Sequence, residues 1–317
     1  MNKFKGLLYG IAYGLAMRGF FVLEFGDHRV VMTNGLMSIS FLFFVPFVIG
    51  LLVAYYNNSL TSSVKVAELS MPLLAVVGFI VTTVLFGAEG IICAIMAFPI
   101  FGFMSLLGGY LGTRIFYRNK DKTMISLMLF IPFLAASVES FTGLSDQLFT
   151  EHTTITIRAS DEKVWKHITR VSEIQEHENR LSLFQLMGFP RPIRAELDTI
   201  AVGGIRMAVF DRGLIFTETV TQVITRKELA FTIEANPASI PPTALDEHVL
   251  VGGQYFDILD GKYEMEKISE HEIRLHLTSR FRLATHFNFY SGFWSQLIMR
   301  DIQQNILRIV KDRSEKE

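Results

Sequence analysis

Glu218 lies in an alternating run from Leu214 to Ile224, and Arg194, Arg206, Glu234, Arg280 and Arg282 lie in neighbouring runs of the same kind. Successive side chains of a strand point to opposite faces, so the members of one parity would enter whatever space the sheet encloses. A carboxyl buried there has its pKa raised and can serve as a general base or acid, with an arginine beside it to stabilise charge. Glu218 and Arg206 are therefore the candidate catalytic residues. The competing reading is that these charges alternate onto solvent, as they do on most half-buried sheets. His248 and Tyr255 on a long loop, and Tyr290 and Trp294 at the start of the last helix, join Arg194, Glu218 and Arg280 as candidate ligand contacts. Trp165 and Trp294 suit core packing better than ligand stacking.

Other chemistries lack their local geometry. The eight histidines (His28, His152, His167, His177, His248, His271, His276 and His286) contain no H-x-x-x-H or H-E-x-x-H pair, so no metal site is expected. The one cysteine, Cys93, sits in an apolar run and excludes an internal disulfide. No G-x-S-x-G elbow, P-loop or G-x-G-x-x-G fingerprint occurs, and no cofactor is expected. A net charge of −1 leaves no basic footprint for nucleic acid.

The elements that must position these residues fall into two halves. Residues 1–150 hold 9 Lys/Arg and 7 Asp/Glu, whereas residues 151–317 hold 21 and 24. That split implies two solvents, lipid and then water. Apolar runs from Gly6 to Leu23, Leu36 to Tyr56, Met71 to Phe86, Ile91 to Thr113 and Thr123 to Val138 predict a transmembrane bundle of about five spans within residues 1–142. Gly87-Ala88-Glu89-Gly90 should fold the third and fourth runs back as a hairpin, and the fifth run is short and carries Pro132. Gly6, Gly10 and Gly14, and again Gly108 and Gly112, are spaced four apart and would let helices approach closely. Arg18, Glu89 and Glu139 are the charges nearest the lipid; Arg18 could snorkel or pair with Glu24, and the two glutamates lie at span ends where water reaches them.

Lys3, Lys5, Lys65, Arg114, Arg118, Lys120 and Lys122 fall on one side of the five-span arrangement, which the positive-inside rule makes cytoplasmic. Glu24, Asp27, His28, Arg29 and Glu89 fall on the other, and so does the C-terminal half. The chain then reads as an integral plasma-membrane protein with a cytoplasmic N-terminus and an extracytoplasmic C-terminal domain. If the fifth run only lies in the interface, that domain is cytoplasmic instead.

From Glu151 the period changes. Thr153 to Arg158 alternates as a strand, Ser160 caps a helix running to Arg170, and a second helical patch is expected from Ser172 to Asn179. Strands follow over Ile193 to Ile200, Ile205 to Asp211, Leu214 to Ile224 and Leu229 to Ala235, with turns at Gly203-Gly204, Gly213 and Arg226-Lys227. After a long loop from Asn236 to Asp257 come strands over Gly261 to Ile268 and Glu272 to Leu283. Tyr290 to Arg313 closes the chain as a long helix with Phe293, Leu297, Ile298, Ile302, Ile306 and Ile309 or Val310 on one face. The stretch FNFYSGFW within this region could also lie at a membrane surface.

This order, begun by ITIRASDEKVWKHI, resembles the SRPBCC superfamily, which includes START, polyketide cyclase and birch-pollen-allergen relatives. The stretch GFPRPIRAELDTIAVGGIRMAVFDRGLIFTETVT and the fused layout resemble bacterial membrane proteins that carry such a domain at the C-terminus. The resemblance implies a helix-grip α+β domain over residues 150–317: an antiparallel sheet wrapped round a long C-terminal helix, enclosing a mostly apolar cavity. It implies a lipid or other hydrophobic small molecule as partner and supplies no shared catalytic set. Three functions follow as expectations: membrane-anchored binding of such a molecule, a cyclase- or hydrolase-type enzyme using Glu218, or a non-catalytic interaction or sensor module.

Overall fold

The computed structural model describes residues 2–22, 37–57, 66–116, 121–235 and 251–316. His248, Lys65, Arg118, Lys120 and the charges from Glu24 to Arg29 lie outside the described residues, as does most of the long loop. The chain divides into two compact units, Met1–Leu144 and Ser145–Glu317.

The first unit is helical: α1 (Asn2–Val22), α2 (Val45–Tyr56) preceded by a π-helical turn at Ser40–Phe44, α3 (Val66–Leu85), α4 (Ile91–Phe116), α5 (Lys122–Met128) and α6 (Ile131–Glu139). The segments Ile91–Phe116 and Lys122–Glu139 are long and apolar enough to cross a membrane, whereas Ser40–Tyr56 and Ser70–Leu85 are shorter. By that measure two of the five expected runs qualify as spans among the described residues. The fifth apolar run is a broken helix. Pro132 has no N–H to return to the carbonyl of Met128, so α5 stops and α6 restarts with Phe130 at its cap position.

α2 and α4 cross with almost no side chain between them. A Cβ on Gly50 would fall 2.1 Å from the Ser105 carbonyl oxygen, and one on Gly108 would fall 2.0 Å from that of Phe47. Both positions admit glycine alone. The expectation for the three charges changes in two respects. Arg18 pairs with Glu89 of the α3–α4 turn, and Glu139 receives the backbone N–H groups of Ile39 (2.7 Å) and Ser40 (3.0 Å) at the start of the π turn. All three side chains are buried rather than lying at wet span ends. A carboxylate at the start of a helix takes up N–H groups that have no partner within it.

The second unit contains β1 (Asp146–Ile157), α7 (Asp161–Thr169), β2 (Arg170–Val171), α8 (Leu183–Leu186), β3 (Pro192–Leu197), β4 (Ile205–Phe210), β5 (Ile215–Ile224), β6 (Glu228–Ala235), β7 (Phe256–Ser269), β8 (Glu272–Ala284) and α9 (Asn288–Lys316). The eight strands form one antiparallel sheet in the order β1-β8-β7-β6-β5-β4-β3-β2, so the first strand returns to pair with the last. Register shifts at Val220/Gln222, Ile258/Asp260 and Lys267/Ser269 mark bulges, which bend strands and sharpen twist. α9 packs against β1, β8 and α7. This is the helix-grip arrangement.

Local chemistry explains most boundaries. Ser160 occupies the cap position of α7 without a side-chain cap bond; Asp161 Oδ1 instead accepts the Glu162 N–H. The helix expected over Ser172 to Asn179 does not form, and the short helix is α8, closed by a reciprocal Ser182–Gln185 capping box. Val164, Trp165 and Ile168 of α7 pack with Leu229, Ile273, Leu275 and, from α9, Leu307 and Val310.

Candidate functional site

The apolar alternation of β4 and β5 carries two charges inward with it. Arg206 shares its parity with buried Ala208, and Glu218 shares its parity with buried Phe216 and Val220. The two residues are direct cross-strand partners in the β4–β5 register. Their side chains meet at 3.1 Å between Nη1 and Oε2, and both residues are buried, 4 % and 7 % exposed.

The next strands build the walls round this pair. Val220 lies opposite Phe231 of β6, and Phe231 lies opposite Gly261 of β7. A Cβ at Gly261 would come within 2.6 Å of the Phe231 ring, so only glycine lets the ring lie across β7. The Arg206 guanidinium sits 5.3 Å from the Phe231 ring centre and 5.7 Å from that of Tyr263. Both distances are within cation–π range. Tyr263 is also buried, and burial raises the pKa of its hydroxyl.

Arg206, Glu218, Phe231, Gly261 and Tyr263 line a cavity of about 100 Å³ between the sheet and α9. Met299, Ile302, Ile306 and Ile309 form the helix side, and Phe210, Phe216, Ile233 and Ile258 are among the sheet residues. Gln303 of α9 also reaches the lining, but its amide is already occupied. It accepts from Thr153 Oγ1 at 2.7 Å and donates to the Glu151 carbonyl at 3.2 Å and Ser279 Oγ at 3.0 Å. Its role is to tie α9 to β1 and β8.

Arg206 differs. Its buried Nε has no hydrogen-bond partner among the described residues. Leaving a charged donor unsatisfied in an apolar setting is costly, so the group is placed to meet an acceptor entering the cavity. Burial pushes the Glu218 carboxyl above the ordinary range, although Arg206 pulls it back. The cavity therefore presents apolar walls, one fixed cation with a spare donor, and a carboxyl that gains a proton more readily than one in water.

Among the other sequence candidates, Arg194 is exposed and contributes to the lining. Glu234 is exposed. Arg280 is also exposed and is engaged by Asp260, with Nε 2.8 Å from Oδ2. Arg282 pairs with Asp146 at 3.2 Å and donates to the Gly253 carbonyl. Tyr255 is buried, and Tyr290 packs edge to face on Trp294, but none of these three lines the cavity. The structure thus brings Arg194, Arg206 and Glu218 together and leaves Tyr255, Arg280, Tyr290 and Trp294 elsewhere. Phe231, Tyr263, Ser279 and Gln303 were not singled out from the sequence. For Tyr263 the available signal was its parity with Gly261 and Met265 in an alternating strand.

No protein-family model matches the chain, and no curated protein matches it. Solved structures similar to it include an aromatase/cyclase from a Streptomyces species, at 12 % identity and TM-score 0.35 over 54 % of this chain and 96 % of that one. A START superfamily protein from Mycobacterium smegmatis is 8 % identical, with TM-score 0.35 over 53 % and 97 % of the two chains. Norcoclaurine synthase from Thalictrum flavum, in complex with dopamine and hydroxybenzaldehyde, is 12 % identical, with TM-score 0.32 over 53 % and 87 %.

Proposed function

We propose that the second unit binds a small hydrophobic molecule bearing one hydrogen-bond acceptor, and that the first unit anchors it in a membrane. The observation carrying this reading is the unpartnered Arg206 Nε, buried at the wall of an otherwise apolar cavity. Apolar walls supply affinity by removing surface from water, and the guanidinium orients the guest. The volume limits the guest. About 100 Å³ is somewhat less than the roughly 150 Å³ apolar cavity that takes up benzene, so the occupant is of single-ring size or inserts one such group. The anchoring rests on the two apolar segments of sufficient length and on the apolar composition of the first unit. In the five-span reading, the C-terminal unit faces away from the cytoplasm.

A second reading is favoured by a separate observation, the raised carboxyl of Glu218 facing the same cavity. In that reading Glu218 exchanges a proton with the guest, while Arg206 stabilises the charge that develops, as in cyclase- or hydrolase-type chemistry. The two readings separate on Glu218→Gln. A binding site retains its guest in that variant, whereas an enzyme retains the guest and loses its conversion. Binding is tested by exposing the intact chain in detergent to a panel of single-ring carboxylates, ketones and hydrocarbons. Preference for acceptor-bearing members that disappears in Arg206→Leu supports the proposal; equal retention of the hydrocarbons contradicts it.

A further inference from the structure

The opposite face of the same sheet carries a second cluster. His152 and Thr154 of β1 and His276 and Thr278 of β8 have the parity opposite to the buried Thr153-side and Leu275-side residues, and so face away from the cavity. His152 Nε2 lies 3.3 Å from His276 Nδ1. Thr154 Oγ1 lies 3.1 Å from the first nitrogen and 3.0 Å from the second. The three donor atoms form a nearly equilateral triangle. The ring centres are 5.3 Å apart with planes inclined by 24°, so the imidazoles lie nearly parallel and approach each other through these two nitrogens.

The outward nitrogens are held as well. His152 Nδ1 is 3.0 Å from Thr278 Oγ1, and His276 Nε2 is 3.5 Å from Glu266 Oε2, itself bound by Arg274 at 3.0 Å. Carboxylate Oε2 can only accept; in the neutral tautomer with the hydrogen on His276 Nε2, Nδ1 presents its lone pair to the triangle. When His152 is protonated on Nδ1, two lone pairs face each other. One threonine hydroxyl has a single proton and can satisfy only one of them.

We propose that His152, His276 and Thr154 form a binding site for a late first-row divalent cation, Cu²⁺ or Zn²⁺. Two imidazole nitrogens at about 2.0–2.1 Å from tetrahedral Zn²⁺ are about 3.3 Å apart, the spacing found here, whereas tetragonal Cu²⁺ would draw them about 0.5 Å closer. Thr154 completes a triangular face, and the fourth position is open to solvent or an exogenous ligand. Glu266 behind His276 is the carboxylate that commonly orients a ligating imidazole. Its two firm ligands would be imidazoles, which favour late first-row metals over Mg²⁺ or Ca²⁺; among the described residues no group of three His, Cys, Asp or Glu side chains converges. Nearby, Lys262 pairs with Glu264 at 3.0 Å.

The test uses the full chain in detergent, free of any affinity tag and stripped of metal. One equivalent of Cu²⁺ should give an electron paramagnetic resonance spectrum with splitting from two imidazole nitrogens. His152→Gln and His276→Gln should each abolish that two-nitrogen signature, whereas His271→Gln, in the turn between β7 and β8, should leave it unchanged. Glu266→Gln keeps both imidazoles and should weaken Cu²⁺ affinity by about tenfold, through loss of the carboxylate behind His276. A spectrum without two-nitrogen coupling, or one that survives His152→Gln in a folded variant, overturns the proposal and leaves the pair as an imidazole–imidazole hydrogen bond.

Discussion

Arg206 and Glu218 stand directly opposite each other on β4 and β5, 3.1 Å apart, both buried beside the rings of Phe231 and Tyr263. A buried ion pair of this kind is a poor stabilising device, because desolvation offsets most of the attraction. Its place at the cavity wall, with one donor unspent, is what makes it a site.

Removing one partner should be far worse than removing both. Glu218→Ala leaves a buried guanidinium uncompensated and should lower stability by about 3–5 kcal/mol, while Arg206→Met with Glu218→Leu should be near neutral or more stable. Both tryptophans of the chain lie in the second unit, so urea unfolding followed by their fluorescence reports on that unit. Equal losses for the single and double variants would show that the pair contributes as packing volume, not as charge.

Gly261→Ala and Leu307→Ala should separate cavity shape from core stability. The first forces the Phe231 ring off β7 and should cost about 1–3 kcal/mol while blocking part of the cavity. The second removes a fully buried side chain that does not line the cavity and should cost about 2–5 kcal/mol. Isothermal titration with an accepted guest should find the larger affinity loss in Gly261→Ala, despite its smaller stability loss.

Arg313 grips Glu178 with two hydrogen bonds, Nε to Oε1 at 2.7 Å and Nη2 to Oε2 at 2.8 Å, and also reaches the Ser172 and Glu173 carbonyls. That grip fastens the segment after β2 to the end of α9 and lowers the Glu178 pKa from 4.5 to about 2. A depressed carboxyl stabilises the fold above its unfolded pKa and loses that contribution as pH falls through the folded value. The difference in unfolding midpoint between the native chain and Glu178→Gln should therefore be full above pH 4.5 and fade toward pH 2. A difference that does not vary with pH would mean that the segment is held by the arginine–carbonyl contacts alone.

The strands and the grip helix were legible because a period of two and a period of about four leave their mark on residue type. β4, β5, β6 and α9 lie within a few residues of the runs read from alternation and helical spacing. Parity also offered Arg206 and Glu218, but it could not say which face was inside; the buried Phe216 and Val220 on either side of Glu218 decide that. Tyr263 shares the buried parity of Gly261 and Met265, but only the sheet's curvature makes that face a cavity wall, and only the position of α9 brings Gln303 to it. The His152–His276 pair is separated by 124 positions in the chain and arises from the β1–β8 register, which no short motif encodes. In the first unit, hydrophobicity revealed the apolar runs but not that Arg18 would choose Glu89, since that partner depends on how the helices pack.

The most direct measurement is native mass spectrometry of the intact chain, released from detergent after exposure to a membrane extract and then to the single-ring panel. The account predicts one retained small molecule per chain in the native protein, lost in Arg206→Leu and in Gly261→Ala. A bare mass from folded protein under both exposures, or retention indifferent to Arg206, would contradict a binding role for this cavity.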